Sequence, residues 1–137
     1  MMHSDRGSVT IWMLGLSMLL MVFGGLALDY WRGLALQREL ASVADSAAVA
    51  AASGIDEDVY RTTGELMLEP GRSRELANAA VAWQTVDVTS VLVDVQPESV
   101  EVTLTAEVEL GLLGVFVDQS EPLVVRANAS ATPVLIP

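Results

Sequence analysis

The side chains able to do chemistry are few and scattered. Asp56-Glu57-Asp58 sets three carboxylates in a row, which could touch a calcium ion. Calcium loops space their oxygen ligands at alternating positions around a glycine. This run has neither feature, so a solvated turn is the preferred reading. Glu107 and Glu109 recur with period two and could form a carboxylate pair, but that period also describes the wet outer face of a hairpin. His3 is the only histidine and stands in the short head, which removes both a Ser-His-Asp triad and histidine metal ligation. Gly24-Gly25 and Gly111/Gly114 have no lysine nearby, so no phosphate loop is present. Asn128-Ala129-Ser130 fits the glycosylation pattern, which matters only in a host that glycosylates. Asp29 and Arg32, three apart, suit an ion pair on one helix face, with a subunit-docking role as the alternative. No catalytic, cofactor-binding or metal-ligating residue is assigned, and an enzyme is not expected.

Composition narrows the remaining classes. The 137 residues include no cysteine, so there is no disulfide framework and no thiolate metal site. All seven basic residues are arginines. Residues 1–32 sum to zero charge, and the whole net charge of −11 lies in residues 33–137. Such an acidic surface repels nucleic acid, which binds through clustered Lys/Arg, so no nucleic-acid partner is expected. Acidity of this kind keeps an exported domain soluble.

The strongest signal is the uncharged run from Ser8 to Leu28, SVTIWMLGLSMLLMVFGGLAL. Its 21 positions make about 32 Å of helix, against a hydrocarbon core of roughly 30 Å. Trp12 at one end and Tyr30-Trp31 at the other lie about 27–28 Å apart on a helix, where interfacial aromatics belong. A signal-peptide apolar region is shorter, about 7–15 residues, and follows a more basic start than Asp5-Arg6. A retained membrane-spanning segment at 8–28 is therefore expected, after a head at 1–7. The alternative is a signal peptide cut after Ala27, which would release a secreted acidic binding domain. Arg6 before the span and Arg32 and Arg38 after it nearly balance, while the short head and large acidic tail favour a cytoplasmic amino terminus.

Helical character continues past the span through residues 29–54. Leu36, Leu40, Val43, Ala47 and Ala50 follow steps of four and three, a coiled-coil-like seam whose alanine end can approach a partner backbone closely. Gly54 is a candidate C-cap. An unbroken helix from Ser8 to Ser53 would be roughly 69 Å long.

Residues 55–137 read as a small α+β domain. A short helix is expected over Val59–Leu68, ended by Glu69-Pro70-Gly71. A second is expected over 73–84, capped by Ser73, with Leu76, Ala79, Ala80 and Trp83 on one face. The period then changes to two. Val91, Val93 and Val95 precede the turn QPES, and Val100, Val102, Leu104, Ala106 and Val108 follow it, giving a hairpin with one apolar face. ELGLLGVFVDQSE reads as an apolar loop or helical turn. A third strand carries Leu123, Val125, Ala127 and Ala129 on one side. Helices on one face of a three-stranded antiparallel sheet complete the expected α+β fold.

The order of these features resembles a family. Arg6-Gly7-Ser8, an apolar span ending in Leu28-Asp29, LQRELASVADSAAVAAA, and a close in VTLTAEVELGLLGVF and LVVRANASATP are similar to the TadE/TadG-like tight-adherence (Flp) pilus-assembly proteins. The resemblance implies a pseudopilin-like or minor pilin subunit, single-pass in the bacterial cytoplasmic membrane, with the amino terminus inside and the folded part outside. It implies membrane lipid, other pilin-like subunits and assembly-platform proteins as partners, in a homo- or hetero-oligomer, with no cofactor. Related pilin-like proteins are cut after a glycine, which would fall between Gly7 and Ser8. Their glutamate at the fifth mature position is replaced here by Trp12, a departure from the pattern that bears on both cleavage and filament packing.

Overall fold

The computed structural model describes residues 5–109, 111 and 122–134. One helix, α1 (Asp5–Ala52), runs unbroken for 48 residues, about 72 Å. Two short helices follow, α2 (Glu57–Thr63) and α3 (Pro70–Ala82), then three strands, β1 (Ser90–Gln96), β2 (Ser99–Val108) and β3 (Leu123–Ala131). The strands form one antiparallel sheet in the order β1-β2-β3. The second half of α1 lies against β2, β3 and α3, and α3 also packs on β1. The expected α+β fold, a long apolar helix followed by helices on a three-stranded antiparallel sheet, is what the chain adopts.

Strand alternation does what the period-two pattern requires. Val100, Val102, Leu104 and Ala106 of β2 are completely buried, and Val91, Val93 and Val95 of β1 pack beside them. Glu101 and Glu107 point from the opposite face to solvent. Pro97-Glu98 forms the two-residue turn that sets the register Gln96↔Ser99 through Ser90↔Thr105. On β3 the inner face is Val125, Ala127, Ala129 and Ala131, packed against the core, whereas Leu123 at its start is half exposed.

The short helices differ from their expected bounds. The first is α2, and it stops at Gly64 rather than running on to Leu68. Gly64 adopts φ 75°, and its N–H donates to the Tyr60 carbonyl at 2.9 Å, the left-handed glycine cap. Leu68 then forms an extended bridge with Ile55. Glu69-Pro70-Gly71 begins a helix instead of ending one. The Glu69 carboxylate accepts from the N–H groups of Gly71 (3.0 Å) and Arg72 (2.6 Å), and Pro70 takes the first turn, where a missing N–H costs nothing. The helix starts three residues early, and its buried face is Ser73, Ala77 and Val81, with Leu76 and Ala80 at its margin. Ser73 is thus interior rather than a cap, Ala79 is exposed, and Trp83 points fully outward.

Gly54 is likewise not a left-handed cap, since among the described glycines only Gly64 has positive φ. Its role is space. A Cβ built at Gly54 would lie 2.6 Å from Ser73 Oγ, 2.9 Å from Ser73 N and 3.0 Å from Ser73 Cα. Two of those atoms are backbone and cannot rotate away. Around this contact, Glu69 N–H donates to the Gly54 carbonyl (2.8 Å) and Leu68 N–H to the Pro97 carbonyl (2.9 Å), stitching the end of α1 to α3 and to the hairpin tip.

Gly54→Ala is expected to destabilise by about 1–3 kcal/mol through overpacking. Gly33→Ala, in a helix position with no atom within 4 Å of the built Cβ, should gain up to about 1 kcal/mol of helix propensity. Circular-dichroism melts of the full-length variants in detergent test the opposite signs. Equal shifts would remove the Gly54–Ser73 contact as a determinant of stability.

Candidate functional site

Most of the polar residues singled out in the sequence are structural. The Asp56 carboxylate accepts from the N–H groups of Asp58 (3.0 Å) and Val59 (3.1 Å), so it caps α2. Glu57 lies 3.5 Å from Arg61 and 3.6 Å from Arg72, linking α2 to α3. These exposed pairs contribute little, at most about 1 kcal/mol each. An open depression beside them is lined by Ile55, Asp56, Glu57, Asp58, Glu69 and Arg72. Glu107 and Glu109 are both exposed, Glu107 on the outer face of β2 and Glu109 just past its end. Asn128 and Ser130 also face outward, and Asn128 Nδ2 donates to Glu101 Oε1 at 3.4 Å. Among the described residues, no three carboxylate or imidazole side chains gather in a metal-binding arrangement. His3 and Gly114 lie outside the described residues, as does the ELGLLGVFVDQSE run apart from Glu109 and Gly111.

The feature that can act is α1 itself, which changes character along its length. From Ser8 to Ser17 every residue is exposed, and from Met18 to Leu28 only Val22, Gly25 and Leu26 are not. Twelve large apolar side chains stand exposed here, among them Ile11, Leu14, Leu19, Leu20 and Phe23. At roughly 1.5–3 kcal/mol for each side chain removed from water, covering them is worth on the order of 20–30 kcal/mol. That exceeds the whole folding stability of an ordinary domain, about 5–15 kcal/mol. Among the described residues, this is the one helix long and apolar enough to cross a membrane. Trp12, Tyr30 and Trp31 are all exposed at the ends of the run.

Where the apolar run ends stands Asp29, with only 5% of its surface accessible. Its Oδ1 accepts the Gly111 N–H at 3.3 Å and lies 3.8 Å from Arg32 Nη1, whose side chain is largely exposed. The structure therefore brings Asp29 and Arg32 together as an i,i+3 pair. It adds a partner 82 residues away in sequence that no local pattern announces.

Beyond the exit, the seam becomes a broad buried stripe. Leu40, Val43, Ala44, Ala47, Ala48 and Ala51 are buried, with Leu36 and Ala50 partly covered at its margins. The expected a/d seam is thus one edge of a wider face, and what covers it is this chain's own β2, β3 and α3. From Leu40 onward it serves as a packing surface for the chain's own sheet and α3. Alanine on both sides, from α1 and from β3, lets helix and sheet approach closely.

A family model described as "Putative Flp pilus-assembly TadE/G-like" matches residues 7–54. The match takes in the apolar run, the exit and the alanine stripe, which together are nearly all of α1. Over this segment the chain is similar to that family, in line with the sequence resemblance. No curated protein and no solved structure matches the chain.

Ala47 is fully buried and its neighbour Ser46 is exposed. Ala47→Asp is expected to bury a charge without a partner and cost several kcal/mol. Ser46→Asp should cost under about 0.5 kcal/mol, as exposed substitutions do. Thermal melts of the two variants compare them directly, and equal midpoints would contradict the packed stripe.

Proposed function

We propose that this protein is a membrane-anchored, pseudopilin-like or minor pilin subunit that acts in assembling a tight-adherence (Flp) pilus or a related secretion system. The observation that carries the reading is the division of α1. Its second half is consumed by the chain's own head, while its first half is apolar, exposed and of bilayer length. A helix of this kind anchors the head at a fixed height above the lipid and offers a lateral surface to other apolar helices. The family match lies on this same helix and supports the same role.

On this reading, residues 1–7 are cytoplasmic, 8–28 span the bacterial cytoplasmic membrane once, and 29–137 lie outside. Partners are lipid, other pilin-like subunits and assembly-platform proteins, in a homo- or hetero-oligomer. The protein acts by packing and positioning, with no catalytic step.

Two measurements test the proposal. A deletion strain should show fewer or shorter surface pili by electron microscopy, and normal pilus number and length would overturn the assembly role. The intact mass of the mature protein should correspond to an anchored chain beginning at Met1, or at Ser8 after cleavage behind Gly7. A soluble product beginning at Leu28 would replace the anchor with the alternative, a secreted acidic binding domain.

A further inference from the structure

The head is fastened to α1 at both ends, and its lower fastening lies at the point where the apolar run stops. From Asp29 to Ala52 the helix rises about 35 Å, and from Val108 back to Ser99 β2 covers about 31 Å. Gly54 against Ser73 closes the far end, and the Asp29–Gly111 hydrogen bond closes the near end. Asp29 is the first charged residue after the uncharged run. The covered stripe of α1 even continues below it, through buried Gly25 and half-buried Leu26 and Val22. The folded chain therefore reaches the level at which the span would leave the bilayer.

At that end of the sheet, large apolar side chains stand exposed beside the carboxylates of Glu107 and Glu109. Leu123 and Val124, which begin β3, are 49% and 50% exposed, and they pair in register with Val108 and Glu107. Leu28, Tyr30 and Trp31 are exposed on α1 at the same level. Tyr and Trp are the side chains best suited to a headgroup layer, with an apolar body and a polar tip.

We propose that the membrane-proximal end of the sheet rests on the lipid surface, with Asp29 holding it there and Leu123, Val124, Tyr30 and Trp31 meeting the headgroup layer. The inference rests on α1 being a retained span, and it adds a second, peripheral contact with the same bilayer. The occupant is a zwitterionic phospholipid surface. The exposed Glu107 and Glu109 at this end, on a head of strong negative charge, would be repelled by anionic lipid.

The chain has no cysteine, so single labels are unambiguous. Full-length V124C and S99C, each carrying an environment-sensitive fluorophore, are reconstituted into phosphatidylcholine vesicles. Positions 124 and 99 lie about 27 Å apart along the strands. The label at 124 should shift to shorter wavelength and lose most of its emission to doxyl groups placed just below the headgroups, while the label at 99 should do neither. Adding Asp29→Ala to V124C should abolish most of that quenching while the protein still floats with the vesicles. Equal quenching at 124 and 99 in floating protein would overturn the lipid contact, and unchanged quenching in the double variant would overturn the role of Asp29. Protein that fails to float would overturn the anchor reading, and this proposal with it.

Discussion

On the membrane-anchored reading proposed above, one helix must satisfy two solvents, and the rest of the molecule follows from where it changes between them. Below Asp29 α1 is apolar around its whole circumference; above it, apolar residues keep to one face. A helix apolar all round is stable only when something apolar surrounds it, whereas a one-sided stripe needs a single packing partner. The sheet and α3 supply that partner for the upper half alone. Their reach is set by strand length, and β2 is nearly as long as the helical stretch it accompanies.

Close approach makes this small head possible. With few large side chains in the stripe, contact depends on short distances rather than on bulk, because dispersion falls off steeply with any gap. Ala44, Ala47, Ala48 and Ala51 on the helix face Ala127, Ala129 and Ala131 on the sheet within one core. The Gly54–Ser73 contact extends the same logic to the α1–α3 corner. The core tolerates a loss of volume poorly and an addition worse, since backbone lies directly behind the small side chains.

Periodicity makes most of this legible in the sequence. The uncharged run, the step of four and three from Leu36 to Ala50, and the alternation from Val91 to Val108 each report a local repeat, and each corresponds to an element of the fold. The boundaries that differ share a cause. A helical pattern runs through Gly64, and Glu69-Pro70-Gly71 looks like a stop, because proline and glycine punctuate both the start and the end of a helix. Which role they play depends on whether a side chain such as Glu69 can turn back to cap the N–H groups that follow. The size of Trp83 suggests the buried face, but the residue stands at the C-cap, past the last helical position Ala82, and points outward. The Asp29–Gly111 bond is beyond any local reading, since two residues so distant meet only once the strand lengths place them at one level.

The filled upper stripe constrains how subunits of this kind can associate through α1. Leu40, Val43 and Ala47 are already covered within the chain, so a like helix cannot dock there without displacing the sheet. Two surfaces of α1 remain. One is the outer face of the upper half, with Gln37, Ala41, Asp45 and Val49, where charge and polarity suit only a solvated contact. The other is the apolar half, where a Cβ built at Gly15 or Gly24 meets nothing within 4 Å. In lipid the hydrophobic effect no longer drives helices together, and small residues that admit a neighbouring backbone become the favoured contact points. If α1 spans a membrane as proposed, association through its lower half would rest on packing beside those glycines.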